Sequence, residues 1–334
     1  MYTKTLYRPV RIGKLQLKGN LFLAPAAGYS DVTFRSVAVE WGADFTYTEM
    51  VSSEAMVRDS QKTENLFKRA PNEQAYAVQI FGSNPNHMAE TAKKILEKAS
   101  PSCIDINAGC PMPKITKTGA GSALMRNPQN LYTVTKAVRD AVDTVNISVP
   151  VTVKIRSGWN TEHLTWKDAA QAAVDAGAAA ITIHPRTASQ CYGGKADWTI
   201  LAQLAQMLHP QGISVFGSGD LFTPEDAKAM LEQTDCDAVM FARGAMGNPF
   251  IFKRTKELLL HGSYADISFE RKLKTGWDEL LILTQELGEE RACKEMRKRF
   301  AAYTKGLEGG AELRKDFVKA STIEEYKSIL SMAL

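Results

Sequence analysis

YAVQIFGSNPNHMAETAKKILEKASPSCIDINAG, residues 76–109, reads as one strand–helix–strand unit. Its ends, YAVQIFG (Tyr76 to Gly82) and CIDINAG (Cys103 to Gly109), are short apolar runs of strand length that close on glycine, and the segment NPNHMAETAKKILEKA between them has helical periodicity. The same alternation continues in both directions. LFLAP (Leu21 to Pro25) and FTYTEM (Phe45 to Met50) precede it; VTVKIRSG (Val151 to Gly158), AITIHPR (Ala180 to Arg186), ISVFGSGD (Ile213 to Asp220) and AVMFARG (Ala238 to Gly244) follow. Among the linking segments, TPEDAKAMLEQT opens with a Thr cap, a proline at the first helical position and acids in the first turn. Eight strand–helix repeats predict an α/β protein built on a closed (β/α)8 TIM barrel. An open doubly wound sheet would need fewer units and a GxGxxG turn after an early strand, whereas GAGSAL (119–124) offers two glycines only and follows a loop.

Beyond Phe250 the pattern is helical alone: RTKELLLHG, the long run from Phe269 to Leu307, and TIEEYKSILSMAL. This predicts a division near residue 255, with the barrel in 1–255 and a smaller all-helical domain in 256–334. The chain has 334 residues, 44% of them hydrophobic, enough for a large core, and no run of eighteen apolar residues that would span a membrane. MYTKTLYRPVRIGKLQLKGN lacks the features of a secretory signal, and five scattered cysteines with no CxxC pair form neither a disulfide framework nor a zinc site, so no metal and a reducing cytoplasm are expected. A net charge of +4 tilts weakly toward a polyanionic partner.

The catalytic face of such a barrel lies at the C-terminal ends of its strands. There the sequence places Pro25, Glu49, Gln79, Asn107, Lys154, His184 with Arg186, Gly217 to Asp220, and Arg243 with Gly244. GSGD and ARGAMGNP put small residues where backbone N–H groups can approach an anion, and barrels commonly bind phosphate after strands seven and eight. Gly-rich turns also simply punctuate loops; two in adjacent final units favour the cradle. Lys154, flanked by Val and Ile, reads as a ligand-facing ammonium, an interior ion pair with Glu49 or Asp105, or a Schiff-base lysine. His184, followed directly by Pro185 and Arg186, belongs to a rim. Cys110, on a Gly-Cys-Pro turn stiffened by Pro111, reads as a presented thiol in preference to a packed one, although free cysteine is often buried. Cys191, in RTASQCYGGKADW, lies on a rim loop.

LAPAAGYSD, VQIFG, DINAGCPMPK, GAGSALM, VKIRSGW, IHPRT, GSGD and ARGAMGNP, in that order, resemble the tRNA-dihydrouridine synthase family over nearly the whole chain, and MRKRFAAYTKGLEGGAELRK is similar to the tail of its bacterial B type. Three positions depart from the family pattern: NAGCP for NMGCP, GSGD for GNGD, and Ala242 where a glycine is usual. The resemblance implies reduction of the C5=C6 bond of a uridine in the tRNA D-loop to 5,6-dihydrouridine, with FMN as cofactor and NADPH as reductant. It implies that FMN rests on Pro25, Ala26 and Ala27, with Gln79 and Lys154 at the ring, His184 beside it, and Ser218, Gly219, Asp220, Ala242 and Arg243 at the phosphate. Cys110 would be the catalytic acid, and Asn107 and Arg186 would meet the substrate. Uracil is a conjugated enone, so hydride addition at C6 leaves charge at C5 that a proton must quench; a thiol of ordinary pKa, about 8.5, is protonated at neutral pH and can supply it.

RACKEMRKRFAAYTK (291–305) carries six basic groups against one Glu, with Arg291, Lys294, Lys298 and Lys305 on one helical face and Met296, Phe300 and Tyr303 on another. Lys294 and Lys298 are therefore expected to contact tRNA phosphates, in a protein expected to be a monomer. Three alternatives remain at this point: a small-molecule FMN reductase of the dihydroorotate dehydrogenase kind, an RNA-binding protein on a degenerate barrel, and an aldolase using Lys154.

Overall fold

In the computed structural model, which describes residues 5–58, 61–307 and 309–333, each apolar run supplies a strand: β1 Leu21–Leu23, β2 Phe45–Tyr47, β3 Tyr76–Phe81, β4 Cys103–Ala108, β5 Val151–Gly158, β6 Ala180–Thr187, β7 Ser214–Ser218 and β8 Ala238–Phe241. All neighbours are parallel, and Val239 opposite Leu21 closes the ring. A short strand, Val51–Ser52, carries the β2 path on beside Ile80 and Phe81 of β3. Helices α1 Val32–Glu40, α2 Ser53–Val57, α3 Pro85–Ala99, α4 Pro128–Asn146, α5 Trp166–Asp175, α6 Trp198–Leu208, α7 Pro224–Thr234 and α8 Ile251–His261 follow the strands in turn, completing the expected (β/α)8 barrel.

Local chemistry sets these boundaries. The Asn84 side chain accepts from the N–H groups of Asn86 and His87 at the start of α3, and Ser100 ends it in the left-handed region. Thr223 and Asp226 form a reciprocal capping box at α7. The helices bury Met88, Ala92, Ile95, Val134, Leu204 and Met230, among others, against the outside of the strands.

The lower interior of the barrel is apolar. Phe22 meets Phe45 and Phe216 edge-on at 5.5 and 5.1 Å, and an antiparallel hairpin of Val10–Ile12 and Leu15–Leu17 adds Val10, Ile12 and Leu17 to the same cluster. Sequence reasoning assigned this hairpin no structure. It stops the N-terminal end of the barrel, so interior polar groups meet solvent only at the other end.

Ile251 and Phe252 of α8 join the barrel's core, so residue 255 falls inside a helix of the barrel layer. Helices α9 Phe269–Leu287, α10 Glu289–Tyr303, α11 Gly310–Phe317 and α12 Ile323–Ala333 have a core of their own, around Leu273, Leu280, Met296, Phe300, Phe317 and Tyr326. The long helical run expected from Phe269 breaks at Gly288, whose φ of +79° ends α9 and turns the chain into α10.

Two features seat this core on the barrel. Arg299, fully buried, pairs with Glu279, also fully buried, and with Asp31, the residue capping α1; the Tyr303 hydroxyl donates to Glu279 at 2.7 Å. Gly247, at φ +65°, lies so close to α10 that a Cβ there would stand 2.5 Å from the Ala302 backbone. Replacing Arg299 by Met strands the Glu279 carboxylate among apolar groups and should cost about 3–5 kcal/mol in urea denaturation. Adding Glu279→Leu should recover much of that loss, because the stranded carboxylate disappears.

Candidate active site

Polar residues along β4, β5 and β6 come in pairs two positions apart: Asp105 and Asn107, Lys154 and Arg156, His184 and Arg186. Strand alternation turns both members of a pair to the same side. Register then stacks them in tiers: Gln79 opposite Asp105 opposite Thr152, Asn107 opposite Lys154, and Arg156 opposite His184.

The upper tiers open into a cleft of about 420 Å³. Pro25, Ala26, Ala27, Gln79, Lys154, His184, Ser218, Gly219, Asp220, Ala242 and Arg243 all line it, together with Asn107 and Cys110. Arg186 does not. It is buried behind His184, donating to both oxygens of Asp220 at 2.7 and 2.8 Å and to the carbonyls of Gly193 and Gly194. A direct substrate contact is therefore replaced by a supporting position.

The Cys110 turn is held from several sides. Asn107 Oδ1 accepts the N–H groups of Gly109 and Cys110 at 3.1 and 2.9 Å. Arg156 donates to the Gly109 carbonyl at 2.7 Å, and to the carbonyls of Thr187 and Cys191 at 2.9 Å. Ser122 N–H donates to the Cys110 carbonyl at 3.0 Å. The thiol is half-buried on the cleft wall, whereas Cys103, Cys236 and Cys293 are buried and Cys191 is exposed. Burial pushes the Cys110 pKa up, partly offset by a Met112 backbone hydrogen bond and by Arg156, so the sulfur keeps its proton at neutral pH.

Lys154 is half-buried and, among the described residues, has no carboxylate in ion-pair contact. The ion pair entertained for it does not form. Asp105 accepts from Thr152 and Gln79 instead, each at 2.6 Å, and Glu49 accepts the Gly28 N–H at 2.5 Å outside this cleft. Burial, then neighbouring Arg156, lowers the Lys154 pKa to about 8, leaving an ammonium that is charged at neutral pH and open to a ligand. His184 Nε2 lies 3.1 Å from Arg186 Nη1. A guanidinium only donates, so Nε2 accepts and the ring proton sits on Nδ1. Burial and then the cations Lys154 and Arg156 keep this imidazole neutral, its pKa driven down to about 2.

At the other end, Gly219 has φ +110°, and a Cβ there would come within 2.7 Å of the His184 ring; a Cβ on Gly244 would meet the Leu221 carbonyl at 2.0 Å. The turn after β8 closes on the turn after β7 only because residue 244 is glycine, and the turn after β7 packs on His184 only because residue 219 is glycine. Arg243 lies over the rings of Tyr192 and Phe222, at 4.6 and 5.2 Å, and its Nη2 is 3.4 Å from Asp220. With Lys154, Arg156 and Arg243 against one carboxylate, Asp220, the cleft suits an anionic ligand with a flat ring, and these residues fit a flavin. Sequence reasoning missed Arg156, although its place two residues after Lys154 gives it the same inward side. It also missed Tyr192 and Phe222, whose loop positions carry no periodic signal.

A sequence profile described as Dihydrouridine synthase (Dus) matches residues 22–334. The chain belongs to the dihydrouridine synthase family. It is 61% identical over 331 residues to a probable tRNA-dihydrouridine synthase of Treponema pallidum, covering 99% of this chain and 97% of that one. It is 36% identical over 322 residues to tRNA-dihydrouridine synthase B of Shewanella oneidensis, covering 96% and 97%. Among solved structures, the old yellow enzyme homologue of Zymomonas mobilis shares the fold, with a TM-score of 0.53 and 15% identity over 79% of this chain and 95% of that one. As a dihydrouridine synthase the protein is a flavin-dependent oxidoreductase. Among the described residues, no helix is long and apolar enough to cross a membrane.

In this dihydrouridine synthase Lys294 and Lys298 lie away from the flavin-type cleft. They line a second cleft of about 720 Å³ between the barrel and α9–α10, together with Lys68 and Arg291 and the acids Asp31, Glu49, Glu286 and Glu295. Lys294 pairs with Glu290 at 2.6 Å; Lys298 pairs with Glu295 at 2.5 Å and donates to the Gly28 carbonyl at 2.7 Å. The two basic groups of 291–305 that were not assigned to the stripe do other work: Arg299 is buried, and Arg297 donates to the Ala320 carbonyl and Ser321.

The raised thiol pKa has a readable consequence. Alkylation of Cys110 by iodoacetamide, followed by mass spectrometry of digests, should be slower at pH 8 than for a free cysteine peptide and should still be rising above pH 9. A rate already level by pH 8 would mean a stabilised thiolate and remove the thiol as a proton source.

Proposed function

We propose that the protein reduces the C5=C6 bond of a D-loop uridine in tRNA, using FMN in the 420 Å³ cleft and NADPH as reductant, with Cys110 protonating C5. The observation that carries this reading is a protonated thiol on the wall of the same cleft that holds an unpaired ammonium and two glycine-tight turns. FMN supplies the hydride that adds at C6.

The chain's own residues do the rest. Ser218, Gly219, Asp220, Ala242 and Arg243 hold the phosphate end, Arg243 contributing the charge. Pro25, Ala26 and Ala27 form the floor, and Gln79 and His184 flank the ring. Lys154 stabilises negative charge gathered on the ring's pyrimidine edge. Asn107 and Arg156 hold the Cys110 turn while its Sγ–H faces the substrate carbon. Arg186 supports this set from behind, through His184 and Asp220. The reductant uses the same mouth before RNA arrives.

The barrel, through α8, carries the chemistry, and the helical core from α9 onward grips the RNA through its backbone and shape, so that an unstacked base enters the cleft. The names of the Treponema and Shewanella relatives support tRNA as the substrate. The protein works as a cytoplasmic monomer, a compartment in keeping with its free cysteines.

Cys110→Ala should keep flavin absorbance and tRNA affinity while uridine reduction, followed by mass spectrometry of digested tRNA, falls about 100-fold or more. Full turnover in that variant would remove the mechanism. Lys294→Glu with Lys298→Glu should weaken tRNA binding and flatten its salt dependence, leaving NADPH oxidation intact; filter binding at several salt concentrations reads this, and unchanged affinity would displace the RNA from this face.

A further inference from the structure

One tier below the cleft, Asp105 is fully buried and meets no group that reacts. Its carboxylate nevertheless ends a hydrogen-bond chain that reaches Cys110. Thr152 Oγ1 donates to one carboxylate oxygen and Gln79 Nε2 to the other, each at 2.6 Å. Asn107 Nδ2 donates to Gln79 Oε1 at 2.8 Å, and Asn107 Oδ1 accepts the N–H groups of Gly109 and Cys110 at 3.1 and 2.9 Å. The two ends of an amide are nearly equal in shape and opposite in hydrogen-bond sense, so each link dictates the orientation of the next. We propose that Asp105 is a positioning residue for the catalytic turn: a carboxylate that can only accept turns Gln79, and through it Asn107, so that an oxygen faces the backbone of Cys110.

With both amides reversed, Asn107 would present its NH2 to two N–H donors, and the turn would lose its inner support. Gln79 and Asn107 are thus committed to holding geometry before either meets a ligand. Burial raises the Asp105 pKa to about 6, with Thr152, Gln79 and then Lys154 opposing it, so the carboxylate is ionised at neutral pH, as the chain requires.

The proposal rests on Cys110 being the proton donor, and a reversal experiment tests it. Asn107→Asp sets a carboxylate at each side of Gln79, which has an NH2 for only one of them; kcat for tRNA reduction by the FMN-loaded enzyme should fall about 100-fold with KM for tRNA little changed. Adding Asp105→Asn restores a continuous chain of opposite sense. The amide now at position 105 donates to Gln79, and Gln79 donates to the carboxylate now at position 107, which still accepts from the backbone of Gly109 and Cys110. The double variant should recover most of the lost kcat and the wild-type rate of Cys110 alkylation.

Losses that simply multiply, with no recovery in either readout, would overturn the proposal. Should Asn107→Asp fail to fold, Asp105→Asn against Asp105→Leu decides: the amide can turn its oxygen to Gln79 and its NH2 to Thr152, so it should retain far more turnover than leucine, and equal loss would be fatal. Alkylation located at Cys110 needs no turnover. If Cys110→Ala stays active, the proposed chemistry fails while the positioning test can still be read.

Discussion

A closed sheet of parallel strands leaves its interior two exits, and here one of them is stopped. Phe22, Phe45, Phe216 and the N-terminal hairpin fill the lower end. Every inward polar residue on the strands must then be satisfied within the barrel or face the upper mouth. Asp105 is satisfied within, by Thr152 and Gln79; Arg186 by Asp220 and two loop carbonyls. Lys154 faces the mouth, half-buried and, among the described residues, without a carboxylate in ion-pair contact. Removing a cation even partly from water without a counter-charge is costly, and on the proposed function the charge of a ligand in the cleft offsets that cost.

The barrel was legible because closure demands eight repeats of the same pattern, and each repeat wrote its own apolar run and turn. The residues of the cleft were legible for a related reason: strand ends in a barrel converge, so Gln79, Lys154, His184 and the turns after β7 and β8 needed no long-range information to be grouped. What escaped depends on contacts between distant segments. Nothing local tells that Arg299 is buried against Glu279 and Asp31, or that Glu49 turns away from the mouth to take the Gly28 N–H. The hairpin at Val10–Leu17 is too short to show periodicity. The break at Gly288 was visible as a glycine in a helical run, a position that sequence alone reads as tolerated.

The charge run in α10 shows the limit of counting. Arg291, Lys294 and Lys298 do lie on one side, but they share the second cleft with Glu286, Glu295, Glu49 and Asp31, while Arg297 and Arg299 tie helices to one another and to the barrel. A cationic stripe in sequence becomes a mixed-charge wall in three dimensions. Binding of a polyanion there trades lysine–carboxylate pairs for lysine–phosphate pairs, a gain smaller than bare charge suggests but more selective for where the phosphates fall.

The seat at Gly247 leaves no room for a side chain between the barrel and α10, and the buried Arg299 holds the same junction by charge. On the proposed function, the separation between gripping helix and reacting thiol is therefore constant. On that proposal the molecule acts as a ruler: which uridine is reduced follows from how far along the folded RNA the cleft can reach once the helices have taken hold.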